Sequence, residues 1–184
     1  MESLEEISQS IWQELRRGKS DNKHPFRFGT LATMNNNFPN LRTVVLRKIE
    51  ETNSEIWLYT DLRSPKVEEI RNNSNIAWHF YHSKQQIQLR MYGKATIIHN
   101  NKITNEIWQN LPEYGKDDYL TQQAPSTIKK DNTTRLLSTD NSENFCVIIT
   151  KINKIDWLQL SRNGHQRAKF ELTQGDWRRE WLIP

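Results

Sequence analysis

Apolar residues in this chain recur mostly with the two-residue period of strands, set off by a few helical stretches. Over residues 2–18, Leu4, Ile7, Ile11, Trp12 and Leu15 share one face at helical spacing, which predicts an N-terminal helix ended by Gly18. FRFGTLAT (26–33), LRTVVLRKI (41–49), IWLYT (56–60) and NIAWHFYH (75–82) read as strands, with MNNNFPN and EETNSE as turns between the first three. QIQLRMYGKATIIH (86–99) alternates cleanly: Gln86, Gln88, Arg90 and Tyr92 lie on one face, Ile87, Leu89 and Met91 on the other, and Gly93 predicts a bulge or bend. NFCVIITKINKIDWLQL (144–160) reads as two strand-like pieces, and HQRAKFELT with WRREWLIP as a hairpin about Gln174-Gly175-Asp176. Helices are predicted at Ser64–Asn72 and 104–111. Residues 112–144 are polar and irregular, with helix expected over 115–123 and the rest expected to be a long mobile loop. Six to eight strands, few helices, no internal repeat and no linker predict one domain over 1–184, mainly β: an antiparallel β-barrel, closed or partly open, with peripheral helices.

Composition narrows this picture. The apolar fraction of 35% is low, but seven Trp, six Phe and five Tyr supply large buried areas, as a globular chain requires. A net charge of +4 with acidic residues interspersed permits an anionic partner without requiring nucleic acid. Cys146 is the single cysteine and sits in an apolar run, which rules out an intrachain disulfide and a Cys-rich zinc site and predicts a buried thiol. There is no signal-peptide pattern and no apolar run near the ~20 residues of a membrane span. The expectation is a soluble, cytoplasmic protein with no metal, membrane or nucleic-acid partner.

The candidate chemistry begins with a question of sign in YTDLRSPKVEEI. Ser64-Pro65 is a favoured helix start, where the backbone already carries partial positive charge, yet Arg63 and Lys66 flank it. Either these are two tolerated surface cations, or the hydroxyl and both charges form a phosphate clamp. Arg42 and Arg47 in RTVVLR pose a second problem, since five residues apart on a regular strand they point to opposite faces. They are either solvated strand cations or ligands joined by a bulge, a long reach or a subunit boundary. Gln88, next to Arg90 on its face, can both donate to and accept from a heterocycle edge, or simply pack. Trp157 can stack on a planar group; His165 and Arg167 share one strand face. No paired-carboxylate, Ser-His-Asp, GxGxxG or P-loop pattern is present.

Taken in order, these pieces resemble the pyridoxamine 5′-phosphate oxidase superfamily, the FMN-binding split barrels. The resemblance runs through Arg42-Thr43-Val44-Val45-Leu46-Arg47, Tyr59-Thr60, Ser64-Pro65-Lys66, Gln88, Gly93-Lys94-Ala95, Trp157, His165-Gln166-Arg167 and Leu182-Ile183-Pro184, nearly the whole chain. It implies an antiparallel, Greek-key-like split barrel and a homodimer with FMN between the subunits. On that resemblance Arg42, Lys66 and the preceding turn hold the FMN phosphate. Val44, Val45, Leu46, Tyr59, Thr60 and Gln88 line the ribityl chain and ring. Trp157 and Arg167 close the site from the partner chain, and Thr43, Arg47, Arg63 and Ser64 count among the cofactor residues. Arg47 and His165 are the candidates for substrate contact. The family's vitamin B6 half is largely missing: its Tyr, Arg and Ser trio has no match around Trp108, Pro112 and Lys116, and Asn163 stands where the oxidase has Arg. The implied function is an FMN-dependent oxidoreductase acting on an unidentified small molecule. A non-catalytic flavin- or haem-binding protein of the same fold is the alternative, and a basic nucleic-acid-binding barrel the third reading.

Overall fold

The computed structural model describes residues 2–129 and 142–184; the expected mobile loop falls partly on 130–141, outside the described residues. Helix α1 (Leu4–Ser20) opens on a capping box, the Ser3 hydroxyl accepting from the Glu6 amide and the Glu6 carboxylate from the Ser3 amide. It does not stop at Gly18. That glycine lies two residues inside the helix, where an added Cβ would sit 2.7 Å from the backbone of Phe26. It is a contact glycine rather than a terminator.

The chain then makes a 3₁₀ turn at Pro25–Arg27, capped by His24, and this delays the first strand to β1 (Phe28–Asn35). Asn36 and Asn37 alone turn the hairpin, Asn36 with φ 52°, so most of MNNNFPN is strand, including Pro39 on the edge strand β2 (Phe38–Val45). The predicted 41–49 strand is broken. The Leu46 amide still donates to Arg27 on the β1 side, but the Arg47 amide donates to the Trp57 carbonyl. The chain thereby crosses to β3 (Lys48–Glu50), which pairs with β4 (Glu55–Asp61) at the far end of the sheet.

Among the described residues nine strands form one antiparallel sheet, ordered β2-β1-β5-β6-β7-β4-β3, with β8 and β9 added to β7. Strands β5 (Asn75–His82), β6 (Ile87–His99) and β7 (Phe145–Gln159) make its middle. The two pieces read over 144–160 are one strand. Its first part pairs with β4, its last part with β8 (Gln166–Thr173). Between them the register against β6 slips: Tyr92 faces Lys154 and Gly93 faces Ile152, leaving Asn153 unpaired. The bulge expected at Gly93 is real, and a Cβ on that glycine would lie 2.2 Å from the Lys151 carbonyl oxygen. Strand β9 (Asp176–Leu182) follows the predicted Gln174-Gly175 turn.

Helices α2 (Pro65–Asn72), α3 (Lys102–Asn110) and α4 (Glu113–Lys116) are peripheral; α4 is all the helix found in the predicted 115–123 region. The main core holds Leu15, Leu31, Trp78, Phe80, Leu89, Met91 and Phe170, and each such side chain contributes about 1.5–3 kcal/mol by leaving water. A second cluster gathers Trp57, Tyr119, Phe145 and Val147, with Trp108 against it. Cys146 is fully buried, and burial pushes its thiol up to about 12, far from reactive.

Buried Glu14 ties α1 to the sheet. Its carboxylate lies 3.0 Å from His24 Nε2 and 3.8 Å from His82 Nε2. Both rings accept a backbone N–H at Nδ1, from Phe26 and Gln85, so each neutral ring carries its proton on the Nε2 facing Glu14. This set has the residue types of a metal site, yet its nitrogens offer protons rather than lone pairs. No described helix is long and apolar enough to cross a membrane.

Candidate functional site

The break at Leu46-Arg47 shapes the candidate pocket. By swinging the chain from β1 to β4 it brings Arg42 and Arg47 to one cavity of about 300 Å³, lined also by Tyr59, Thr60, Ser64 and Lys66. The two-face problem is thus solved within one chain. Thr43, Val44 and Val45 line the β2 side, and Asp118, Tyr119 and Pro125 close the far wall. Leu46 does not take part: it is fully buried in the main core.

The start of α2 points its polar groups inward. Ser64 is the N-cap but makes no side-chain cap bond; its hydroxyl and that of Thr60 (2.9 Å) accept from the Lys66 ammonium. Burial lowers the Lys66 pKa, and the nearby charge of Arg42 adds to the effect. Arg42 donates to Thr33 and, at 2.7 Å, to Glu69 on the same helix as Lys66. Burial opposes the charge on Glu69, but hydrogen bonds from Thr33, Asn40 and Arg42 outweigh it and hold its carboxyl below the usual range. Arg47 lies 5.6 Å from the centroid of the Tyr59 ring, and its Nε is buried with no hydrogen-bond partner. Burial also raises the Tyr59 phenol, which therefore stays a donor at neutral pH.

Arg63 is not brought to the pocket. Its guanidinium grips Asp61 (3.0 and 2.6 Å) and donates to the carbonyls of Thr121 (2.8 Å) and Gln122 (3.1 Å). It fastens the wall segment that carries Tyr119, whose ring packs edge-on against Phe145 at 5.0 Å. The two cations of the sign puzzle therefore part company: Asp61 answers Arg63, and Lys66 alone turns inward.

A second group forms elsewhere. Gln88 on β6 and Arg167 on β8 both face Leu158 of β7 across the outer side of the sheet. One step along, Asp156 accepts from Arg90 Nη2 (2.7 Å) and from Arg167 Nε (3.2 Å) and Nη2 (2.8 Å). Trp157 lies on the opposite side of β7, level with Leu89 and Ala168, 3% exposed in the main core. His165 is exposed at the β7–β8 turn, its Nδ1 accepting from the Ser161 amide. None of Gln88, Trp157, His165 and Arg167 lines the pocket. Sequence reasoning missed Glu69, Asp61, Tyr119 and Asp156. Only Glu69 left a signal, three residues after Lys66 on one face of α2.

The model of the pyridoxamine 5′-phosphate oxidase, FMN-binding domain matches residues 5–99. That span holds the pocket residues of β2, β4 and α2 together with Gln88 and Arg90, and ends before Arg167. Pyridoxine/pyridoxamine 5′-phosphate oxidase 2 of Arabidopsis thaliana is 28% identical over 147 residues, covering 72% of this chain and 73% of that protein. Pyridoxine/pyridoxamine 5′-phosphate oxidase of Pelagibacter ubique is 23% identical over 190 residues, covering 95% and 88%. Among solved structures, a pyridoxamine 5′-phosphate oxidase-related, FMN-binding protein from Nostoc punctiforme superposes with TM-score 0.78 at 23% identity, covering 96% of each chain. PhzG from Burkholderia lata, solved with tetrahydrophenazine-1-carboxylic acid, superposes with TM-score 0.77 at 13% identity, over 97% of this chain and 92% of that one. These likenesses carry the fold, an antiparallel split barrel with peripheral helices.

Proposed function

The chain belongs to the pyridoxamine 5′-phosphate oxidase FMN-binding domain family, and from that premise we propose that it is a homodimeric flavoprotein acting as an oxidoreductase on a small molecule. The observation that carries the reading is the buried, unpartnered Nε of Arg47 in a pocket that already gathers Arg42, Lys66 and the Ser64 hydroxyl. A buried guanidinium N–H without an acceptor is costly, and an anionic ligand removes that cost. The donor set fits FMN. Lys66, Ser64 and Arg42 would hold its phosphate, Val44, Val45 and Tyr59 would flank the ribityl chain and ring, and Arg47, beside the Tyr59 ring, would meet the flavin and face the substrate side. When bound, FMN supplies the electron transfer; the protein's residues position it and exclude water.

A cavity of about 300 Å³ is at the small end for ligand sites, which supports a second copy completing it. The outer sheet face offers the means. Phe28 and Tyr81 are 55% and 42% exposed there, and Tyr81 is paired with Gln88. Docking that face brings Gln88 and Arg167 to the neighbour's flavin.

The deciding experiment is the visible spectrum of the purified protein, mass analysis of the released cofactor, and sedimentation to give the oligomeric state. The expected result is one FMN per chain in a dimer. Haem, or no affinity for FMN, would overturn the proposal.

A further inference from the structure

Two described side-chain nitrogens are buried without a hydrogen-bond partner, Nε of Arg47 and Nε of Arg90. The pocket accounts for the first. Arg90 lies outside the pocket, on the outer face of β6, two residues from Gln88.

Its surroundings are unbalanced in charge. Arg90 stands between His79 of β5 and Asp156 of β7 in the sheet register. Asp156 is its ion-pair partner, but that carboxylate is shared with Arg167. Two guanidiniums on one carboxylate leave a surplus positive charge. The neighbouring lysines do not change the count in kind: Lys169 pairs with Glu171 and Glu180, and Lys154 reaches Glu171 at 4.0 Å. Asp156 fixes the plane of Arg167, which it holds through two nitrogens, and anchors Arg90 through one. Most buried guanidinium donors in folded proteins find an acceptor, so an unanswered one calls for an explanation. An oxyanion beside Arg90 would balance the surplus charge and give its guanidinium a further acceptor.

We propose that Arg90, held with Arg167 by Asp156, is the binding site for an anionic group of the substrate, a carboxylate or a phosphate. The inference rests on the reading that this face meets the flavin of a second copy. It gives the substrate class that the lost vitamin B6 residues leave open: a small oxyanion-bearing molecule, bound by arginines on the strand face that also carries Gln88. Asp156 is a positioning residue in this arrangement.

The test uses the FMN-loaded protein and isothermal titration calorimetry with two probes, inorganic phosphate and benzoate. The unmutated protein is expected to bind at least one of them, and which one binds separates phosphate from carboxylate. Arg90→Met, which keeps the stem, should weaken that binding about 10-fold or more. Arg90→Lys, which keeps the charge, should weaken it less, and both variants should retain the unmutated affinity for FMN. Three results overturn the inference: neither probe binds, Arg90→Met binds the probe as the unmutated protein does, or the variants lose FMN instead. An unmutated protein that binds no FMN is a separate failure, overturning the proposed function and this inference with it.

Discussion

The pocket at the β2–β4 corner and the outer face of β6–β8 hold similar cations in different company. In the pocket, Arg42 has Glu69 and Lys66 has two hydroxyls, and just outside it Arg63 has Asp61, all drawn from neighbouring strands and one helix. On the outer face one carboxylate serves two arginines. The first region is a prebuilt cradle whose charges are mostly answered from within. The second keeps a surplus of positive charge. The difference teaches what each part of the sequence encodes: β2, β4 and α2 build a holder, and on the proposed function β6–β8 present a surface to be met.

The sharpest way to break this comparison is Lys66→Glu. A carboxylate facing the phosphate should weaken FMN binding roughly 1000-fold while leaving the unliganded fold largely intact. Fluorescence titration checks the first part and a thermal melt the second; unchanged affinity would remove the pocket from the cofactor's site. Next in size, Glu69→Gln strips the buried partner from Arg42. It should cost about 3 kcal/mol of stability in urea unfolding, because a buried cation is left uncompensated. Its effect on FMN should be the opposite of Lys66→Glu, since the pocket becomes more positive.

A smaller effect follows from the lowered pKa of Lys66. The unfolded chain holds that proton to higher pH than the fold does, so unliganded stability gains from this group as pH rises from the folded value toward the ordinary ~10.4. FMN binding runs the other way, because the phosphate favours the protonated amine. Its affinity should fall as pH rises through the lowered pKa, and Lys66→Met should flatten that dependence in a titration series. The outer face gives a smaller loss of stability than Glu69→Gln: Asp156 is itself buried but its two arginine partners are partly exposed, so Asp156→Asn should cost about 1–2 kcal/mol. A larger loss by thermal melting would mean that the outer cluster holds the barrel together rather than presenting a surface.

Much of this architecture was legible in the residues. The alternation of β6, the bulge at Gly93 and the Gln174-Gly175 turn all follow local rules that tertiary context did not override. The break after Val45 was not legible, because LRTVVLRKI is uniformly β-forming and only the change of hydrogen-bond partner at Arg47 ends one strand and starts another. The Tyr119 wall lay in a stretch without periodicity, and its place is set by Arg63 and a ring contact far along the chain. Arg63 itself was read for its charge, and Asp61, two residues before it, claims that charge.

The side of β7 on which Trp157 lies is set by one residue. Ile148 and Ile152 point inward, and an unbroken alternation from them would send Asp156 inward and Trp157 out. Asn153 has no partner on β6, so the strand skips a beat there, and Ile155 and Trp157 take the inward positions instead. That single step works as a phase shift. It hands the core an indole and sets a carboxylate between two guanidiniums, and a strand without it would offer those arginines a ring where they now find a counter-charge.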